Sequence, residues 1–228
     1  MTMKVPFLTD QAIDSATHEL LLKFSKHVGV QVNPPIPVDD IIEKYLRVGL
    51  EITDLKTKLG TSDVLGAAYF DEKVIRVDQQ LEAQEGRLCF TMAHEVGHWQ
   101  LHRPIYEMDK VAPLLFGTKD PRPAFLCRSG QKPPAEIQAD KFAARLLMPS
   151  NFVREAFAAV NGSEPVLIAG LRAQPKDLSV IKPWAEISKS VIKQGHFNNV
   201  SIEAMRYRLQ DLNLVRDRDT ATAQRSLL

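Results

Sequence analysis

The sequence predicts an α+β fold, in which a small mixed or antiparallel sheet packs against one buried helix and a mostly helical C-terminal region follows. Three observations carry that prediction. Strand-like alternation is confined to a window between Leu50 and Asp78. Helical spacing precedes that window and dominates after it. The helix after the strands, Arg87 to Leu101, is apolar around most of its circumference, as a helix enclosed on several sides must be.

In chain order, Asp10 caps a first helix running to about His27, with Ala12, Ile13, Ala16, Leu20 and Phe24 at helical spacing. Asn33-Pro34-Pro35-Ile36-Pro37 breaks the chain. Val38 to Leu46 then reads as a short second helix, whose Asp39 and Asp40 suit the dipole of its first turn. Leu50-Glu51-Ile52-Thr53 and Val74-Ile75-Arg76-Val77-Asp78 alternate as strands, and Asp71-Glu72-Lys73 reads as a hairpin turn following Tyr69-Phe70. Residues 103–135 hold six of the 14 prolines and are expected to be mostly irregular, with Pro123-Ala124-Phe125-Leu126-Cys127-Arg128 able to form an extra strand. Glu136 to Met148 is a helix stopped by Pro149, and Asn151 to Val160 continues helically. Gly162 and Pro165 mark a boundary. Short helices are expected from there to about Val215, then a polar tail, Arg216 to Leu228.

Composition narrows the function. Apolar residues at 44% and charged residues at 25% are ordinary globular usage, which argues against a disordered chain of 228 residues. Lysine plus arginine (29) nearly balances aspartate plus glutamate (28), so no global field favours nucleic acid or an anionic membrane. Two cysteines, Cys89 and Cys127, cannot build a disulfide framework or a four-cysteine metal site. The first residues lack a signal-peptide core, and no uncharged apolar run approaches the ~18 residues of a membrane span. The expectation is a soluble, cytoplasmic protein.

The chemistry centres on His94-Glu95-Val96-Gly97-His98. On a helix, histidines four apart share a face, so both imidazoles reach one ion, and the glutamate between them is rotated aside to contact water. Chance gives such a pentapeptide in roughly one chain in a hundred of this length. The rest of the helix sharpens it. Leu88, Cys89, Phe90, Met92, Ala93, Val96, Gly97, Trp99 and Leu101 form a broad apolar arc, and the remaining arc holds Thr91, His94, Glu95, His98 and His102. A buried helix whose main polar stripe is this motif needs a reason to bury it.

His102 does not complete a three-histidine site with His94, because eight residues of helix separate them by ~12 Å along the axis. It reads instead as a histidine of the last turn, favoured by the dipole, or as a substrate contact. The third ligand is therefore sought elsewhere, and Glu136 is the best candidate. Glu136, Asp140, Ala143 and Leu147 lie on one helix face, an arrangement that resembles the E-x-x-x-D of gluzincins, whose aspartate orients a metal-bound histidine. Taken alone, Glu136 reads equally as a first-turn acid at a helix N-terminus; beside an H-E-x-x-H the ligand reading is favoured.

Two stretches carry a family resemblance. Phe90-Thr91-Met92-Ala93-His94-Glu95-Val96-Gly97-His98, followed by Glu136-x-x-Ala139-Asp140-x-Phe142-Ala143-Ala144-x-Leu146-Leu147-Met148-Pro149, resembles the ImmA/IrrE family of bacterial and phage metallopeptidases. Upstream, Pro37-Val38-Asp39-Asp40-Ile41-Ile42 resembles the family's approach to its first strand. The resemblance spans roughly residues 35–155. It implies a zincin-like fold and one zinc ion per chain, held by His94, His98 and Glu136, with Glu95 catalytic and Asp140 behind the ligands. It also implies a protein substrate, a helix-turn-helix repressor or antitoxin-like regulator, cleaved to derepress stress or mobile-element genes. The domains are then an N-terminal helix (1–34), a zincin-like metallopeptidase domain (35–160) and a helical C-terminal region (161–228). The Pro-rich insertion 103–135 departs from the family's compact pattern. Cys127 within it is most simply a small buried thiol, although a thiol there could also occupy zinc's open position; Cys89 reads as core.

With three protein ligands, the fourth position is left to water or substrate, and Glu95 is placed to act as general base and then acid. Tyr106, His102, Arg128 and His196 are candidates for the oxyanion donor or substrate contacts. An extended substrate could pair with a sheet-edge strand such as Val74 to Asp78. Near the C-terminus, Ser201 caps a helix with Ile202, Met205, Leu209 and Leu212 in an apolar stripe, similar to the recognition helix of a helix-turn-helix. Arg206, Tyr207 and Arg208 on it could touch nucleic acid, although Glu203 and Asp211 dilute the charge. Two rival functions follow: a DNA-binding regulator with a structural or vestigial zinc site, and a non-peptide zinc hydrolase.

Overall fold

A computed structural model describes residues 5–111, 125–128, 133–168 and 178–218. By packing, the chain divides into two compact units, Met1–Leu147 and Met148–Leu228.

In the first unit, helix α1 (Asp10–Val28) turns Ile13, Thr17, Leu20 and Phe24 inward. Its N-cap is Thr9, not Asp10: the Thr9 hydroxyl accepts from the Ala12 amide at 3.2 Å, and Asp10 becomes the first-turn acid. Asp10 is thereby free to pair across to Lys141 at 2.7 Å, and Asp14 to Arg145 at 2.9 Å. The exposed Asp10–Lys141 pair adds little stability, but with the buried Arg145 paired to Asp14 it fixes which face of α1 meets its neighbour. Val38–Asp40 opens a short helix (α2) that widens into a π-turn over Ile41–Tyr45, burying Val38, Ile41 and Ile42.

The sheet is mixed. Its strands β1 (Gly49–Thr53), β2 (Val64–Tyr69), β3 (Val74–Asp78) and β4 (Phe125–Arg128) lie in the order β1-β3-β2-β4. β1 runs parallel to β3, whereas β2 is antiparallel to both β3 and β4. The 71–73 turn joins β2 to β3 as the sequence predicts, with Lys73 in the left-handed region at φ 53°. A short helix, α3 (Leu55–Leu59), capped by Asp54, covers one face over Val64, Ala67, Tyr69 and Val74. The other face carries helix α4 (Glu85–Leu101), so β2 is covered on both sides and reads as a nearly continuous apolar run. Helix α6 (Pro134–Leu147) packs against α4 and against α1.

Three further expectations for this unit change. Val74–Asp78 is an interior strand, so its backbone is already paired on both sides and cannot accept an added strand. The 103–135 stretch is not mostly irregular where it is described, because helix α5 (Arg103–Val111) starts directly after α4. Pro104 is tolerated there, as its missing N–H would have no partner in a first turn, and Arg103 and Glu107 pair one turn apart at 2.7 Å. The extra strand forms as β4. Cys89 is half-buried rather than core, since the first turns of α4 are less covered than the motif.

In the second unit, α7 (Ser150–Asn161) packs on α8 (Leu178–Gln194), and α8 on α9 (Ile202–Asp211). The expected run of short helices is interrupted by two parallel strands, β5 (Val166–Ile168) and β6 (Val215–Asp217). These are only three residues each, too short for period-two alternation to be read. Among the described residues, no helix is long and apolar enough to cross a membrane.

Candidate metal centre

Residues 91–99 of α4 are all buried, because the sheet closes one side of the helix and α6 another. Close approach of α6 depends on Gly97. A Cβ there would meet Ala139 Cα at 3.1 Å, the Ala139 carbonyl at 3.2 Å and Phe142 Cβ at 3.2 Å, two of them backbone atoms that cannot yield. Gly97 and Ala139, more than Ala143, set the helix separation that brings Glu136 to the histidines.

At that crossing His94 Nε2 lies 3.1 Å from Glu136 Oε2 and 3.0 Å from His98 Nε2, and His98 Nε2 lies 3.3 Å from Glu136 Oε1. The two histidines are fully buried and Glu136 nearly so. Behind His94, its Nδ1 lies 2.9 Å from Asp140 Oδ1. Since a carboxylate can only accept, His94 carries its proton on Nδ1 and turns a lone pair inward from Nε2. His98 Nδ1 lies 3.0 Å from His102 Nδ1, and His102 Nε2 lies 2.9 Å from Gln138 Oε1.

The arrangement fits a cation on two counts. Nε2 of His94, Nε2 of His98 and a Glu136 oxygen can each offer one ligand atom, all within 4.8 Å of one another. These are the hard and borderline donors that zinc takes. Secondly, Glu95 is completely buried, and among the described residues neither of its carboxylate oxygens has a hydrogen-bond partner. An unpaired buried carboxylate costs several kcal/mol, so its retention beside three ligand-type groups points to chemistry rather than to stability.

Electrostatics follow from burial. Desolvation pushes the Glu95 carboxyl up to about 8, with His94 opposing and Glu136 reinforcing the rise. Desolvation likewise holds His98 down at about 3 and His102 below its ordinary value, so both imidazoles are neutral. Burial alone would raise Glu136, but the His94 and His98 rings beside it outweigh that and hold the carboxyl at about 2. Neutral imidazoles beside an ionised carboxylate are the protonation states that metal binding requires.

The remaining sequence candidates are dispersed. Far from lining an open cleft, His102 is wholly buried behind His98. It caps α4, donating its amide to the His98 carbonyl. Tyr106, on α5, is half-buried; its hydroxyl donates to Asp71 of the β2–β3 turn at 3.0 Å and its ring packs on Phe70. His196 is exposed in the second unit. The side chains of Arg128 and Cys127 lie outside the described residues; their backbones pair with Val64 and Gly66 of β2.

Sequence reasoning missed Gly66. A Cβ there would stand 2.7 Å from Glu95 Oε1 and 2.7 Å from Thr91 Cγ2, so β2 rests directly on the Glu95 carboxylate. Gly66→Ala is therefore expected to displace Glu95 while leaving His94, His98 and Glu136 in place. Metal content by elemental analysis should be unchanged while turnover falls by roughly 10–100-fold, the usual result of misplacing a reacting group by an ångström. Equal turnover of Gly66→Ala and the parent would contradict this packing role.

No curated protein gives a significant match to the chain. The family model described as Peptidase M78, the IrrE N-terminal-like domain, matches residues 48–166, a span that includes β1–β4, α4, α6 and all of the residues that meet at the crossing. It covers more than half of the chain, which therefore belongs to this metallopeptidase family.

Proposed function

We propose that the chain is a cytoplasmic zinc endopeptidase that cuts a regulatory protein, a helix-turn-helix repressor, and so derepresses stress or mobile-element genes. The observation that carries the peptidase reading is Glu95, a fully buried carboxylate with no partner among the described residues, standing next to His94, His98 and Glu136. Zinc bound by those three residues supplies Lewis acidity towards a peptide carbonyl and towards water. Glu95 takes a proton from the attacking water and passes it to the leaving amine nitrogen. Its raised pKa suits the second task, and the charge of a bound zinc ion would favour ionisation for the first. Asp140 keeps the His94 proton on Nδ1, so Nε2 stays available throughout.

The repressor as substrate is supported by the family resemblance. The rival DNA-binding function loses part of its contact set. Arg208 is buried, with its Nε donating to the Met148 carbonyl at 3.0 Å, and Arg206 lies against Trp184 and Tyr207.

Co-expression with the helix-turn-helix repressor encoded nearest the gene, followed by intact mass spectrometry, tests the substrate. One defined fragment pair, absent with Glu95→Gln, is expected, and casein should be digested poorly. An untouched repressor beside readily degraded casein would replace this reading with a general peptidase.

A further inference from the structure

A chain of hydrogen bonds runs from the metal cluster to the N-terminal segment, and its polarity is set from the far end. The Gln138 side-chain amide lies 2.8 Å from the Pro6 carbonyl, which can only accept. Gln138 must therefore present Nε2 to Pro6 and Oε1 to His102. An amide oxygen only accepts, so His102 carries its proton on Nε2, 2.9 Å away, and leaves Nδ1 as a lone pair. That lone pair faces His98 Nδ1 at 3.0 Å, so His98 carries its proton on Nδ1 and turns the Nε2 lone pair towards His94 and Glu136. Each step follows from donor and acceptor type alone, and the result matches the tautomer that Asp140 imposes on His94 from the other side.

We propose that Pro6, Gln138 and His102 form a relay that fixes His98 in the tautomer able to bind metal, making His102 and Gln138 positioning residues and not ligands. This inference rests on the metal reading of the cluster. It gives the segment before α1 a part in the centre: Pro6 precedes the helix that Asp10 and Asp14 tie to α6, the helix that also carries Gln138 and Glu136. His102, Gln138 and the two histidines of the motif are all buried, so water does not readily replace a missing link.

The test uses the full chain and zinc itself. Zinc dissociation constants are measured by competition with a chromophoric chelator, and histidine ring tautomers by long-range proton–nitrogen NMR of the zinc-loaded protein. His102→Leu should raise Kd by about 10–100-fold, the range for losing such a supporting contact. His102→Asn places an amide oxygen near the position of Nδ1 and should recover most of that loss, which mere filling of space would not do. Gln138→Leu should raise Kd about 10-fold and leave His102 as a mixture of tautomers. In the parent, His102 should show its proton on Nε2. If His102→Leu fails to fold by circular dichroism, His102→Asn and Gln138→Leu decide alone. Parent-like Kd values for the leucine variants that fold, or a His102 proton on Nδ1, would overturn the relay. A parent that takes up no zinc would instead bring down the metal reading, and this inference with it.

Discussion

Replacing Glu95 by glutamine should lower peptide cleavage by about 10²-fold or more while leaving bound zinc in place. The substitution preserves size and shape in a site with no slack, where Gly66 rests on the carboxylate. It removes the one group in the cluster that can both take and return a proton. A hundredfold loss corresponds to about 2.7 kcal/mol of barrier. Because Glu95 is not among the three convergent ligand atoms, zinc affinity should change far less than rate. The parent also carries a fully buried carboxyl that glutamine does not ionise, so Glu95→Gln should be no less stable than the parent. Cleavage at the parent rate would remove Glu95 from the mechanism.

Loss of a ligand should have the largest effect on metal-linked stability. A cation that binds only the folded state stabilises it by about 2.7 kcal/mol at a hundredfold excess over Kd. For a chain of this size that is a rise of roughly 5–11 °C in Tm. The parent should show this shift with added zinc and lose it with EDTA. Glu136→Ala should show almost none, since α6 then contributes no ligand to the pair on α4. Calorimetry over a zinc titration reads it directly, and a Glu136→Ala shift equal to the parent's would exclude Glu136 as a ligand.

Legibility in the sequence followed the range of the interactions. The α4 motif was readable because one helix carries both histidines and Glu95 at fixed spacing, so local geometry alone brings them together. Glu136 and Asp140 needed the likeness of their spacing to that of gluzincins, since no periodicity shows that a helix 42 residues further on will cross α4 at Gly97. The hairpin β2–β3 is local and was readable, whereas the placing of β1 beside β3, which makes β3 interior, is a long-range choice. His102 shows both sides of this limit. Its distance from His94 argues against a shared ion, yet its place one turn after His98 also puts it behind that histidine, a local signal that was there to be read. Gln138 and Gly66 gave none. A glutamine on a helix and a glycine in a strand take their meaning here only from Pro6 and Glu95, residues distant in the chain.

We expect His94, His98 and Glu136 together to hold one metal ion. Native mass spectrometry of the purified chain, with elemental analysis of the same sample, tests it most directly. One zinc per chain is expected in the parent and in Glu95→Gln, and none in His94→Ala, His98→Ala or Glu136→Ala. A parent that remains metal-free after incubation with zinc, or a Glu136→Ala chain that keeps its ion as tightly as the parent, would contradict it.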